Sequence, residues 1–435
     1  VKWIIVSLTV LAIMGWGLSF SLLTQNNMLK TQLHVLELER GKLQESVSEL
    51  RERIFENVTI QIGVTAANDY DYNRTKRFFE EIVEKDINEY CSKLENNVKF
   101  KFIVKNNEGT AAAGIRNLQE FKEMGIDIVI GHPWSSQCSA SMIYVDKNNM
   151  LLFSSSSQSS QLARPGDNLL RLHPCDASQG RIIAEMLISR GIKAAIIIQG
   201  GDAWADGIYS VLEDEFSERG GIILQRIRYS FGCVDFRDRL AGMEAAADEA
   251  LERYGRGHVA VVIISYPEGG TKIVKQARDY PLLYSLSWFG SDSIAGIQAF
   301  IDEAPEESAH LKLLSPLPAP TRSTLYYSLN QRYNELFSEH LDFDMASKYD
   351  IAWIIVKAIL EAKTLDVKRL LKVIPDVASM TFGASGWCKL DENGDRETAD
   401  YEIYGYGYID GIVANIKYGI YDSGMKKIFW FNLPG

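Results

Sequence analysis

Short runs of aliphatic and β-branched residues recur along this chain, and each one stops in a loop of small polar residues before a helical pattern begins. Ile126–Ile130 ends at Gly131, ahead of Ser135-Ser136, and Met150–Phe153 runs straight into Ser154-Ser155-Ser156-Ser157-Gln158. Ala194–Ile198 ends in Gln199-Gly200-Gly201-Asp202-Ala203-Trp204, Val259–Ser265 in Tyr266-Pro267-Glu268, and Leu283–Phe289 in Gly290-Ser291-Asp292. Between these runs the apolar spacing is helical, over Lys76–Cys91, Thr110–Glu123, Ser139–Asp146, Ala177–Arg190, Ala205–Glu218, Asp235–Tyr254 and Gly270–Arg278. Uninterrupted apolar strands alternating with helices predict parallel sheets covered on both faces. There are too many units for one open sheet, so two α/β lobes are expected. Leu313–Pro320, extended and rich in proline, suits a crossover between them. Arg322–His340 and Lys348–Lys363 read as late helices, and the chain beyond Val377 as strands and turns.

Two consecutive parallel strands ending in serine-rich loops place hydroxyls at one carboxyl edge, where open α/β sheets bind ligands. Hydroxyls and the free N–H groups of a helix N-terminus suit a carboxylate. Serine also caps helices and fills loops without any ligand. Two such loops on neighbouring strands favour a site.

The formal net charge is −11, with no basic stripe bearing interleaved aromatics, which argues against nucleic acid as a partner. The five cysteines (Cys91, Cys138, Cys175, Cys233 and Cys388) form no C-x-x-C pair, and no His/Cys cluster has metal-ligand spacing. The histidines lie far apart in sequence, and the glycine runs lack a phosphate-loop lysine. No enzyme, cofactor or metal site is expected.

Trp3–Leu23 is uncharged and almost wholly apolar. At ~1.5 Å per residue it spans about one bilayer core, and no A-x-A-like site closes it, so residues 1–24 are read as an uncleaved signal-anchor helix. With Lys2 inside, the rest lies outside the cell membrane. Leu29, Leu36, Leu43 and Leu50 then repeat every seven residues, with Asn26, Leu33, Arg40, Val47 and Ile54 as the alternating set. Leucine at d with Val or Ile at a predicts a parallel two-stranded coiled coil over residues 25–57, and hence a homodimer. The globular part, 58–435, divides into a first lobe of about 58–174 plus 310–385 and a second of about 175–309 plus 386–435.

Several segments of the globular part resemble the type I solute-binding proteins, in particular the leucine/isoleucine/valine-binding receptors. The segments are VIGHPWSSQ, LLFSSSSQSS, NLLRLHPCDASQGR, SYPEGGTKIVKQAR, FGSDS, KYDIAWIIVKAI and KLDENGDR, in the family's order and spacing. The resemblance implies an amino acid held between two hinged lobes. It places the ligand carboxylate on Ser135 and the Ser136 backbone, a second orienting loop at Ser157 and Gln158, and the acid for the α-ammonium at Asp292. Trp204 and Tyr266 match aromatic positions that cover the ligand from the second lobe. The loop SSSSQSS lacks the family's proline, alanine and threonine, and Asp69-Tyr70-Asp71 replaces a Gly/Pro-rich loop. The mouth is therefore more polar, and a polar amino acid, an amide or a small peptide fits it as well as a branched aliphatic one.

The expected function is a membrane-anchored solute-binding protein that delivers its ligand to an ABC permease. The alternatives are a ligand-sensing ectodomain acting through a partner membrane protein, and a structural surface protein built on the same fold.

Overall fold

The computed structural model describes residues 57–94, 98–230 and 232–431, with helical residues 16, 26, 28–30, 32–34 and 36–42 before them. Apart from Trp16, the expected membrane anchor lies outside the described residues, as do the heptad positions Leu43, Val47, Leu50 and Ile54. No helix among the described residues is long and apolar enough to cross a membrane. The chain forms two compact units, Val1–Thr59 with Cys91–Lys99, and Ile60–Tyr90 with Phe100–Gly435. In the smaller, the helical residues Leu29, Leu33 and Leu36 are exposed by 64%, 59% and 61%.

The larger unit carries the two α/β lobes. The first sheet contains β1 (Thr59–Ala66), β2 (Lys99–Asn106), β3 (Ile128–Ile130), β4 (Leu151–Ser154) and β5 (Leu169–Pro174) in the order β5-β4-β3-β1-β2. The pairs β1–β3, β3–β4 and β4–β5 are parallel. The second sheet contains β6 (Ala194–Gly200), β7 (Ile222–Tyr229), β8 (Val259–Ile264) and β9 (Ser287–Gly290), all parallel, in the order β7-β6-β8-β9. Each β6 residue is buried, and its side chains divide by the period of a strand. Ala195 and Ile197 join a core with Ile183, Leu187, Ile208 and Leu212. Ala194, Ile196 and Ile198 join another with Leu240, Met243 and Ile273. Helices therefore cover both faces, which is why β6 and β8 read as continuous apolar runs. At Gly180, helices Asp176–Ser189 and Ala203–Glu218 approach so closely that a Cβ would lie 2.5 Å from the Ile208 carbonyl oxygen.

The crossovers lie later in the chain than 310 and 385. Residues Ser315–Ala319 (β10) pair antiparallel with Asp400–Ile409, which continues into Ile412–Asp422 and Lys427–Trp430. A bridge from Leu314 to Phe289 joins this layer to the second sheet. Asp395–Arg396 instead adds a parallel edge to β5 of the first sheet. The prolines Pro316 and Pro318 are tolerated because β10 has one edge to spare for residues lacking an N–H.

Several element boundaries also differ. The helix expected from Lys76 begins at Asp69, so Asp69-Tyr70-Asp71 forms its first turn rather than a loop, because Asn68 caps it by accepting the Asp71 N–H at 3.0 Å. The helix expected from Ser139 starts at Ser135, because the Gln137 and Cys138 N–H groups already reach the Trp134 carbonyl at 3.0 Å. The strand expected from Leu283 begins only at Ser287, since Pro281 opens a short helix through Tyr284.

Candidate functional site

The loops after β3 and β4 are fastened together by their serines. Ser154 Oγ donates to the His132 carbonyl at 2.6 Å, and Ser156 Oγ to the Pro133 carbonyl at 2.9 Å. Ser155 Oγ donates to Asp344 at 2.6 Å, and Ser157 Oγ lies 2.9 Å from Ser135 Oγ. Beneath them His132 is fully buried between Thr65, Asn107 and Ser141, at 3.1, 2.8 and 3.1 Å. Burial pushes its pKa down to about 3, so it is a neutral tether at physiological pH. Most of the serine-rich loop is thus structural. Its product is a fixed Ser135 hydroxyl, which also accepts the Ser159 N–H at 3.2 Å, at the first turn of helix Ser135–Lys147. The first two N–H groups of that turn, those of Ser135 and Ser136, precede the first bond to the Trp134 carbonyl and have no partner within the helix.

Ser135, Gln158, Ser159 and Gln161 of the first lobe line a cavity of about 460 Å³. The second lobe closes it with Asp176, Asp202, Ala203, Trp204, Tyr266, Asp292 and Ser293. Of the residues expected at the site, Ser135, Gln158, Trp204, Tyr266 and Asp292 therefore share one cavity. Ser157 is buried behind Ser135, and the Ser136 side chain does not line it.

Two carboxylates in this cavity were not singled out from the sequence. Asp202 caps helix Ala203–Glu218, accepting the Ala205 N–H at 3.1 Å, while its other oxygen accepts the Tyr266 hydroxyl at 3.2 Å. Asp176, 3% exposed, accepts Trp204 Nε1 at 3.1 Å and Gln179 Nε2 at 3.3 Å. The same Gln179 accepts the Asp292 N–H at 3.1 Å and so fixes two acids at once. The signal for Asp176 and Gln179 was present in Cys175-Asp176-Ala177-Ser178-Gln179, but an aspartate directly ahead of the helical pattern over Ala177–Arg190 is equally accounted for as an N-cap. That for Asp202 lay in the polar loop just beyond β6, at the carboxyl edge of the second sheet, as Ser135 lies beyond β3 in the first lobe.

The electrostatics of the cavity are one-sided. Burial, with the neighbouring Asp292 charge, pushes the Asp176 carboxyl up to about 8, although the Trp204 N–H and the Arg171 charge work in the other direction. Burial likewise pushes Asp292 up to about 6, against the Ser293 N–H and the amides of Gln158 and Gln179. The Tyr266 phenol is raised by burial and then by Asp202. No lysine, arginine or histidine among the described residues lines the cavity. The nearby Arg171 is occupied, forming a buried fork with Asp395 and donating to the Ser159 carbonyl at 2.7 Å. Trp204 and Tyr266 stack at 4.6 Å between ring centroids and 30° between planes. The arrangement offers neutral donors on one lobe and carboxylates with an aromatic face on the other, the two ends a zwitterion requires.

Solved structures share this architecture. An ABC transporter substrate-binding protein from Desulfitobacterium hafniense, in complex with Leu, superposes with a TM-score of 0.63 at 19% identity, covering 82% of this chain and 100% of its own. The branched-chain amino acid transporter substrate-binding protein LivJ of Streptococcus pneumoniae, in complex with isoleucine, gives 0.60 at 17% identity, over 83% and 100%. In sequence, the uncharacterized protein MJ1266 of Methanocaldococcus jannaschii is 24% identical over 380 residues, 82% of this chain and 88% of the relative. The two lobes are thus those of the type I periplasmic-binding fold. The family model described as the receptor family ligand binding region matches residues 82–408, and the chain belongs to that family.

Proposed function

We propose that this protein is an extracytoplasmic solute-binding protein that captures an amino acid or a similar small polar solute between its lobes and delivers it to an ABC importer. One observation carries the reading: the two walls of the cavity have opposite chemistry, with Ser135 and a helix N-terminus facing three carboxylates. The ligand carboxylate lies on the Ser135 side and the α-ammonium on Asp292. Trp204 and Tyr266 exclude water from the closed site. Closure about the three crossovers brings both walls onto the ligand, and the closed form is the one an importer recognises. The bound leucine and isoleucine of the similar structures support a cleft of this kind for amino acids.

The apolar segment Trp3–Leu23 anchors the protein in the cell membrane with the lobes outside, and the heptads beyond it pair two copies. Exposed Leu29, Leu33 and Leu36 on a helix favour such pairing. A paired, anchored ectodomain also suits ligand sensing through a partner membrane protein, which is the second reading.

Calorimetric titration of the full chain in detergent micelles with the twenty amino acids tests the proposal. It expects a single-site isotherm for at least one of them, abolished in Asp292→Ala. A folded protein that binds none of them overturns it.

A further inference from the structure

We propose that the cleft selects a basic α-amino acid, one whose side chain carries a second positive charge, over the aliphatic amino acids. The inference rests on the reading of the cleft as an amino-acid site and specifies its ligand. An α-ammonium group needs one carboxylate partner. The second-lobe wall presents three, Asp176, Asp202 and Asp292. The hydrogen bonds that hold Asp176 and Asp202 in place come from neutral donors: Trp204, Gln179, Tyr266 and the Ala205 N–H. Arg171, which is near enough to steady Asp176, is already paired with Asp395. With Asp176 holding its proton in the empty cleft at neutral pH, a zwitterion with no side-chain charge would leave the remaining negative charge of this wall unmatched in a closed, water-poor cavity, where unpaired charge is costly, whereas a second cation also lets Asp176 ionise. Lysine, arginine or ornithine brings the missing cation.

Two further observations, independent of the carboxylates, point the same way. Among the described residues that line the cavity Ala203 is the sole aliphatic one, and none is a leucine, isoleucine, valine or methionine that would receive a branched hydrocarbon side chain. The stacked Trp204–Tyr266 pair offers π faces, which attract an ammonium or guanidinium group electrostatically. On the opposite wall, Ser135 and the helix start remain for the α-carboxylate, so a ligand retaining that group is favoured over a bare diamine.

Competition calorimetry on the full chain separates these alternatives, with L-lysine, L-arginine, L-leucine, L-glutamate and 1,5-diaminopentane as probes. Lysine or arginine is expected to bind at least tenfold more tightly than leucine or glutamate. In Asp202→Asn the affinity for the basic amino acid falls at least tenfold, while that for leucine changes less than threefold. Asparagine serves as an N-cap about as well as aspartate, so the variant keeps its helix. Leucine binding as tightly as lysine and arginine overturns the inference but leaves the cleft an amino-acid site. Diaminopentane binding more tightly than lysine also overturns it, because the carboxylate would then have no partner. No binding by any probe or by any other amino acid removes the proposed function as well.

Discussion

Replacing Asp176 by asparagine should stabilise the ligand-free protein in mild alkali and weaken it as a receptor. The Asp176 carboxyl has its pKa raised from 3.8 to about 8 in the folded state, chiefly by burial. A folded-state pKa above the unfolded value means that the folded protein holds a proton the unfolded chain has lost. That contribution is complete below the unfolded pKa and disappears as pH rises toward 8. Other buried groups act at lower pH. Asp292 and Asp167, each raised to about 6, have finished losing their contribution before neutrality. His132 and His173, pushed down to about 3 and 4, add stability as pH rises and finish near the ordinary histidine value of 6.5. Of these five groups, Asp176 alone still loses its contribution between pH 7 and 8. One proton corresponds to about 1.4 kcal/mol per pH unit at full slope, so the loss across this interval is roughly 1 kcal/mol, or about 1 °C in Tm for a chain of this length. The asparagine side chain would still accept from Trp204 and Gln179 but has nothing to ionise. Scanning calorimetry without ligand should show the wild-type Tm falling from pH 7 to 8 and the Tm of Asp176→Asn unchanged. A flat wild-type profile, or a variant that falls equally, refutes the reasoning.

Other consequences are more local. Trp204→Ala removes one face of the stacked pair and the Asp176 donor, and should weaken ligand binding tenfold or more in a calorimetric titration, with a much smaller effect on Tm than a core truncation. Arg171→Met leaves Asp395 buried without its partner and should cost about 3–5 kcal/mol in denaturant unfolding, and Asp395→Asn added to it should recover part of that loss. Gly180→Ala forces the helices Asp176–Ser189 and Ala203–Glu218 apart at the Ile208 carbonyl, and should lower stability by ~1–3 kcal/mol. Because a cationic ligand binds the ionised form of Asp176, its affinity should rise between pH 6 and 8 and its binding should release protons, read from calorimetric heats in buffers of different ionisation enthalpy.

The fold was largely legible because its strands are buried on both faces. A run such as Val259–Ile264 has no polar alternation to confuse it with an edge strand, and polar loops mark its end. The crossovers were harder to place. Ser315–Ala319 and Asp395–Arg396 are short, and which sheet they join depends on pairing with residues some eighty and more than two hundred positions away in sequence. Five site residues came together because each lies just beyond a strand's carboxyl end. Ser136 did not, since neighbouring residues on a helix point in different directions, and only Ser135 faces the cavity. Asp176 and Asp202 were hidden by their ordinary role at helix starts. Their meaning appears only when the two lobes set three acids around one space.

The central claim is that a solute is held between two lobes that close on it. Small-angle X-ray scattering of the full chain in detergent micelles, without ligand and with saturating amounts of whichever amino acid binds most tightly, tests it most directly. The account predicts a smaller radius of gyration with ligand, and no change in Asp292→Ala under the same conditions. A radius of gyration that stays constant in the saturated wild-type protein would contradict capture by closure.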